Sequence, residues 1–178
     1  MLMFCQQKAK AEKQSGQREL YRRYFAYGMT VCLHYTNRQE EAEEVLNDAF
    51  VTLNGENISF KEILEKYKGQ TIFVDVWASW CGDCLKGMPK VKALQKENRD
   101  LVYLFLSADR SVESWKKGIG KYQVVGEHYY MPNGMKSVFS KAIDLDWIPR
   151  YMIIDSEGGI KLFRAIKADD SQLLKALI

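Results

Sequence analysis

The sequence predicts an α/β fold, a central mixed sheet flanked by helices with an N-terminal α-helical hairpin in front of it. Three observations carry this. Residues 72–77 and 101–107 are apolar runs of the kind that forms strands buried on both faces, the first broken only by Asp75. The stretch between them reads as a helix, and strand, helix, strand of this type is a βαβ unit with parallel strands. Further on, residues 151–155 and 160–163 are short strands joined by a tight Ser156-Glu157-Gly158-Gly159 turn, an antiparallel hairpin, and a capped helix over 169–178 follows.

At 178 residues the chain can hold one well-buried domain plus an appendage. A net charge of +3, evenly spread, does not argue for a DNA partner. Four cysteines are too few for a disulfide framework. No apolar run approaches the ~20 residues that span a membrane. The apolar start, Met1 to Cys5, is shorter than a signal-peptide core, so the sequence as written is expected in the cytoplasm.

From Gln17 a helical pattern places Leu20, Tyr24, Tyr27, Val31 and Tyr35 on one face. Asn37 and Glu40 have capping-box spacing, and a second helix is expected to turn Ala42, Val45, Leu46, Ala49 and Phe50 inward. Two such helices form a hairpin that must dock on something to be stable. Arg18-Glu19-Leu20-Tyr21-Arg22-Arg23-Tyr24-Phe25, and then Thr36 through Phe50, resemble the start of region 2 of bacterial extracytoplasmic-function sigma factors. That resemblance implies a contact with RNA polymerase. The residues that read the promoter −10 element, and region 4, are missing, so a working sigma factor is not expected. The plainer account is a helical extension over residues 1–50, joined without a linker to a second unit over 51–178.

That unit opens with a β-hairpin turning at Asn54-Gly55. Ser59 caps a short helix over 60–67, ended by Gly69. After the βαβ unit, a helix begins beyond Asp109, with Ser111 and Ser114 as candidate caps. Residues 121–134 read as irregular, and 135–142 as one or two helical turns. Asp169 to Ile178 should face Leu173, Leu174 and Leu177 inward.

Chemistry concentrates where the first buried strand runs into Cys81-Gly82-Asp83-Cys84 at the head of a helix. Unpaired N–H groups and the helix dipole stabilise a thiolate at the first cysteine. The second lies one turn on, close enough to close a small disulfide ring. Buried in the strand, Asp75 would be reluctant to ionise and could trade protons with a nearby thiol. A structural zinc half-site would need two further ligands. Cys5 and Cys32 lie in the hairpin, and His34 and His128 have no ligand spacing, so no metal and no other cofactor is expected.

Val74 through Cys84 resembles the active-site segment of the thioredoxin superfamily. Ile148-Pro149 before a strand, with Ile154-Asp155 and a Gly turn after it, is similar to its TlpA/ResA-like branch. The resemblance implies the thioredoxin fold, a role in bacterial cell redox homeostasis and thiol–disulfide exchange with protein substrates and an electron donor or acceptor protein. Its members usually reside in the cell envelope. It makes Cys81 the nucleophile, Cys84 the resolving thiol and Asp75 the acid that handles the Cys84 proton. Pro149 would be cis, with the Ile148 backbone pairing with substrate. Trp80, Gly82 and Asp83 are further candidate substrate contacts, Trp80 as a shield for Cys81. Trp77 reads as core, and Pro89 matches the family's kinking proline. Asp83 stands where thioredoxins usually have proline; its carboxylate disfavours a second negative charge at Cys81, which would make a weaker oxidant. A thiol peroxidase would need a Pro-x-x-x-Thr-x-x-Cys setting that Cys81 lacks.

Overall fold

A computed structural model describes residues 39–177. The elements in order are α1 (Gln39–Leu46), β1 (Ala49–Val51), β2 (Asn57–Ser59), α2 (Phe60–Lys66), β3 (Ile72–Trp77), α3 (Gly82–Glu97), β4 (Val102–Ser107), α4 (Val112–Tyr122), β5 (Glu127–Tyr130), a 3-10 turn (Gly134–Lys136), α5 (Val138–Ala142), β6 (Arg150–Ile154), β7 (Ile160–Ala165) and α6 (Ser171–Ala176). The first predicted helix and the Asn37 cap lie outside the described residues, as do Cys5, Cys32 and His34.

The strands form one sheet in the order β2-β1-β5-β4-β3-β6-β7. β3, β4 and β5 run parallel, while β6 pairs antiparallel with both β3 and β7. This is the thioredoxin fold, a mixed sheet flanked by helices. Every residue of β3 and β6 is buried, as central strands of a two-sided sheet require. At the edge, β7 keeps Lys161 and Arg164 exposed, charges that discourage pairing with another chain.

Local chemistry sets the helix starts. Ser59 and Glu62 form a complete capping box on α2, Ser111 caps α4, and Asp170 caps α6. Leu173 is buried and Leu177 packs partly buried against the core, as expected, but Leu174 is 40 % exposed, and Ala176 takes the inward place instead.

Two expectations are corrected. The helix predicted through Phe50 stops at Leu46, because the buried Asp48 takes its place as an anchor. Its carboxylate accepts from the N–H groups of Ala49 and Phe139. Ala49 and Phe50 therefore enter β1, where the Phe50 ring packs against both Phe60 and Phe139. Val45 and Leu46 pack into the same core as the sheet. The stretch 121–134 contains β5, a strand with no apolar run. Glu127-His128-Tyr129-Tyr130 is held by the β4 ladder on one side and Val51 on the other. Tertiary pairing here overrides a weak local signal.

Gly126 admits the chain into β5. Its φ is +145°, and a Cβ there would sit 2.7 Å from the Tyr103 carbonyl oxygen and the Phe105 ring. Gly126→Ala is expected to cost about 1–3 kcal/mol, read as a lower urea midpoint with an unchanged slope. An unchanged midpoint would contradict this close approach.

Candidate active site

The site is built where the C-terminal end of β3 meets the N-terminal end of β6. The antiparallel register Asp75↔Tyr151 and Val76↔Arg150 brings residues 78–81 beside residues 146–149. Cys81 is the N-cap of α3: its N–H donates to Ala78 O (3.1 Å), and its sulfur accepts from the Cys84 N–H (3.2 Å). Cys81 and Cys84 are joined in a disulfide, with Cα atoms 5.3 Å apart. The Cys81 sulfur lies 3.5 Å from the carbonyl oxygen of Ile148, and the Ile148–Pro149 peptide is cis. Both cysteines are buried, Cys81 at 7 % exposure.

Three buried ionisable groups lie on the strands and loops that lead to this contact, and each is treated differently. Asp109 is fully engaged: it accepts from the Ser79 N–H, the Ser79 hydroxyl and the Ser107 hydroxyl. It thereby pins the loop that leads into Cys81. Arg150, fully buried, donates to Ile143 O, Asp144 O and Asp146 Oδ1, which pins the loop carrying Ile148 and Pro149. Asp75 is the contrast. Among the described residues its Oδ1 has no hydrogen-bond partner and no lysine pairs with it, and burial pushes its carboxyl up to about 8. Opposite it in the ladder, the Tyr151 phenol is pushed up by burial first and then by the Asp75 charge.

The remaining predicted residues divide. Gly82 and Asp83 open α3, and Asp83 is ion-paired with Lys86 at 3.2 Å, both exposed, so its charge is partly offset. Trp80, expected to shield Cys81, is itself 53 % exposed. Trp77 is core and Pro89 lies inside α3. His128 is buried on the Phe105 ring with Nε2 at Val124 O. Among the described residues no group of three His, Cys, Asp or Glu could hold a metal ion, and no helix is long and apolar enough to cross a membrane. Sequence reasoning missed Asp109, Ser79 and Arg150. Asp109 sits between a strand and a capped helix, where a carboxylate reads as an ordinary turn residue. Arg150, next to Pro149 at a strand start, had a signal that could have found it.

Residues 69–160 match the thioredoxin-like family. Over 152 residues the chain is 24% identical to the thiol-disulfide oxidoreductase ResA of Bacillus cereus, covering 83% of each. It is 33% identical over 76 residues to the thioredoxin-like protein YneN of Bacillus subtilis, covering 40% of this chain and 42% of that one. The fold superposes with a TM-score of 0.61 on a Bacteroides vulgatus protein provisionally assigned to the thiol-disulfide oxidoreductases. The two are 27% identical, and the match covers 72% of this chain and 82% of that one.

Burial of Asp75 has a signed consequence for stability. The folded carboxyl holds its proton to about 8, against 3.8 for the free side chain. Between those values the folded state binds a proton that the unfolded chain has released, so stability falls as pH rises. The contribution is whole below the lower value and is lost by the upper one, at up to roughly 1.4 kcal/mol per pH unit. Asp75→Asn cannot ionise. It should flatten the slope between pH 5 and 8 and, at pH 7, exceed the parent by up to about 4 kcal/mol. Urea denaturation across that range reads both, and an unaltered slope would contradict the assignment.

Proposed function

The chain belongs to the thioredoxin-like family, and we propose that it is a thiol–disulfide oxidoreductase that reduces or exchanges protein disulfides through Cys81 and Cys84. The observation that carries this reading is the pairing of the two sulfurs at the first turn of α3, against the backbone of Ile148. In the reduced protein the Cys81 thiolate attacks one sulfur of a substrate disulfide. That bond breaks, the departing sulfur takes a proton, and Cys81 is left in a mixed disulfide. Cys84 then attacks the Cys81 sulfur, releasing the second substrate thiol and closing the Cys81–Cys84 bond. Two electrons pass to the substrate, and a donor protein's dithiol restores the pair.

Each neighbour has a place in this sequence. The N–H groups at the start of α3, among them that of Cys84, which donates to the Cys81 sulfur, favour the Cys81 thiolate. Asp75 takes the proton of Cys84 as it attacks, in the molecules whose carboxyl is ionised, a fraction that grows as pH rises towards about 8. Ile148 and Pro149 seat the substrate backbone beside Cys81, with Trp80, Gly82 and Asp83 at the rim. Every residue in this scheme lies between 75 and 149, within the unit read as 51–178. The alternative, a redox sensor whose N-terminal hairpin docks on RNA polymerase, is favoured by no observation among the described residues.

Removing the resolving thiol separates the two steps. Cys84→Ser, reduced and mixed with insulin, should accumulate a mixed disulfide through Cys81, visible on a non-reducing gel and reversed by dithiothreitol. Cys81→Ser should trap nothing and lose insulin reduction entirely. Trapping through Cys84 instead, or full activity in Cys81→Ser, would overturn the assignment of roles.

A further inference from the structure

The chain has four tryptophans, and they fall into two sets. Trp77 and Trp115 are fully buried, whereas Trp80 and Trp147 are 53 % and 54 % exposed. The exposed pair is not scattered. Trp80 precedes Cys81 and Trp147 precedes Ile148, and the Cys81 sulfur touches the Ile148 carbonyl at 3.5 Å. Each tryptophan is therefore the sequence neighbour of one partner in the same contact, one on each of the two loops that meet there.

Single exposed apolar side chains are ordinary and need no account. Two exposed tryptophans that each adjoin one partner of the same buried contact are a different case. A substrate disulfide has to reach Cys81 where those two loops meet, so the segment carrying it comes within reach of the residues exposed on them. The occupant is fixed by the reaction itself. The loops are also held in advance: Asp109 grips Ser79 beside Trp80, and the buried Arg150 guanidinium grips Ile143, Asp144 and Asp146 beside Trp147. A large ring on a pre-ordered loop loses little conformational freedom on binding, which is how aromatic anchors gain affinity. Nearby charge is largely compensated, Asp83 by Lys86 and Asp146 by Arg150 and Arg164. Recognition at this rim is therefore apolar rather than electrostatic.

We propose that Trp147 is a specificity-determining residue which, together with Trp80, selects extended protein segments bearing an apolar or aromatic side chain next to the reactive cysteine. This deepens the oxidoreductase reading and rests on it. Substrates with small polar neighbours would react through the same sulfur but without the ring contact.

The test uses the full chain, reduced, and two synthetic peptides, each with one internal disulfide. They differ only in Phe or Ser beside the attacked cysteine. The readout is the ratio of their second-order reduction rate constants, measured by quenching and mass spectrometry. The parent should prefer the Phe peptide by about tenfold, the scale of one aromatic anchor. Trp147→Ala should bring the ratio to within about twofold, and Trp147→Phe should restore most of it. A ratio is blind to a general folding or redox defect, which slows both peptides alike. No preference in the parent, or a preference that survives in Trp147→Ala, overturns the proposal. 2-Hydroxyethyl disulfide separates the two levels of inference. If the parent is inert towards this probe and both peptides, the oxidoreductase reading fails and the selectivity with it. If the parent reduces all three without peptide preference, the selectivity alone fails.

Discussion

The contact between the Cys81 sulfur and the Ile148 carbonyl ties together two loops that are 67 residues apart in sequence. It exists because β3 and β6 pair antiparallel to the very end of their ladder, at Val76↔Arg150. A one-residue slip in that register would turn every side chain of β6 to the opposite face. Tyr151 would leave Asp75, and Arg150 would leave the carbonyls it holds. The sheet is thus less a platform under the site than the device that sets the distance between its halves. The apolar alternation-free strands that make β3 and β6 central also make their pairing deep and rigid.

Burying charge beside this contact is costly, and the fold answers the cost in two ways. Asp109 and Arg150 each hold one loop through several hydrogen bonds, although the Arg150 Nε has no partner among the described residues; truncating either would strand buried donors or acceptors. Asp75 lacks such compensation, since Oδ1 is unpartnered and desolvation alone holds the carboxyl protonated near neutral pH. A group kept in this condition at the expense of stability is where function is to be sought.

Much of this was legible in the sequence because it depends on local signals. The apolar runs of β3 and β4, the caps Ser59 and Ser111, and the helix following Cys81 each follow from a few neighbouring residues. What escaped depends on distant partners. β5 has no apolar run and is a strand through its neighbours β4 and β1. Phe50 continues a helical stripe in sequence, but the rings of Phe60 and Phe139 draw it into β1. Asp109 and Arg150 look like ordinary surface charges until the fold closes around them. Likewise, nothing in the sequence separates the exposed tryptophans from the buried ones.

The central claim is that position at the head of α3 makes Cys81, and not Cys84, the attacking sulfur. Its most direct test is the order in which the reduced, full-length protein is alkylated by limiting iodoacetamide at neutral pH, with sites assigned by mass spectrometry. The account predicts that Cys81 is modified well ahead of Cys84. Equal labelling of the two, or Cys84 ahead of Cys81, would contradict it.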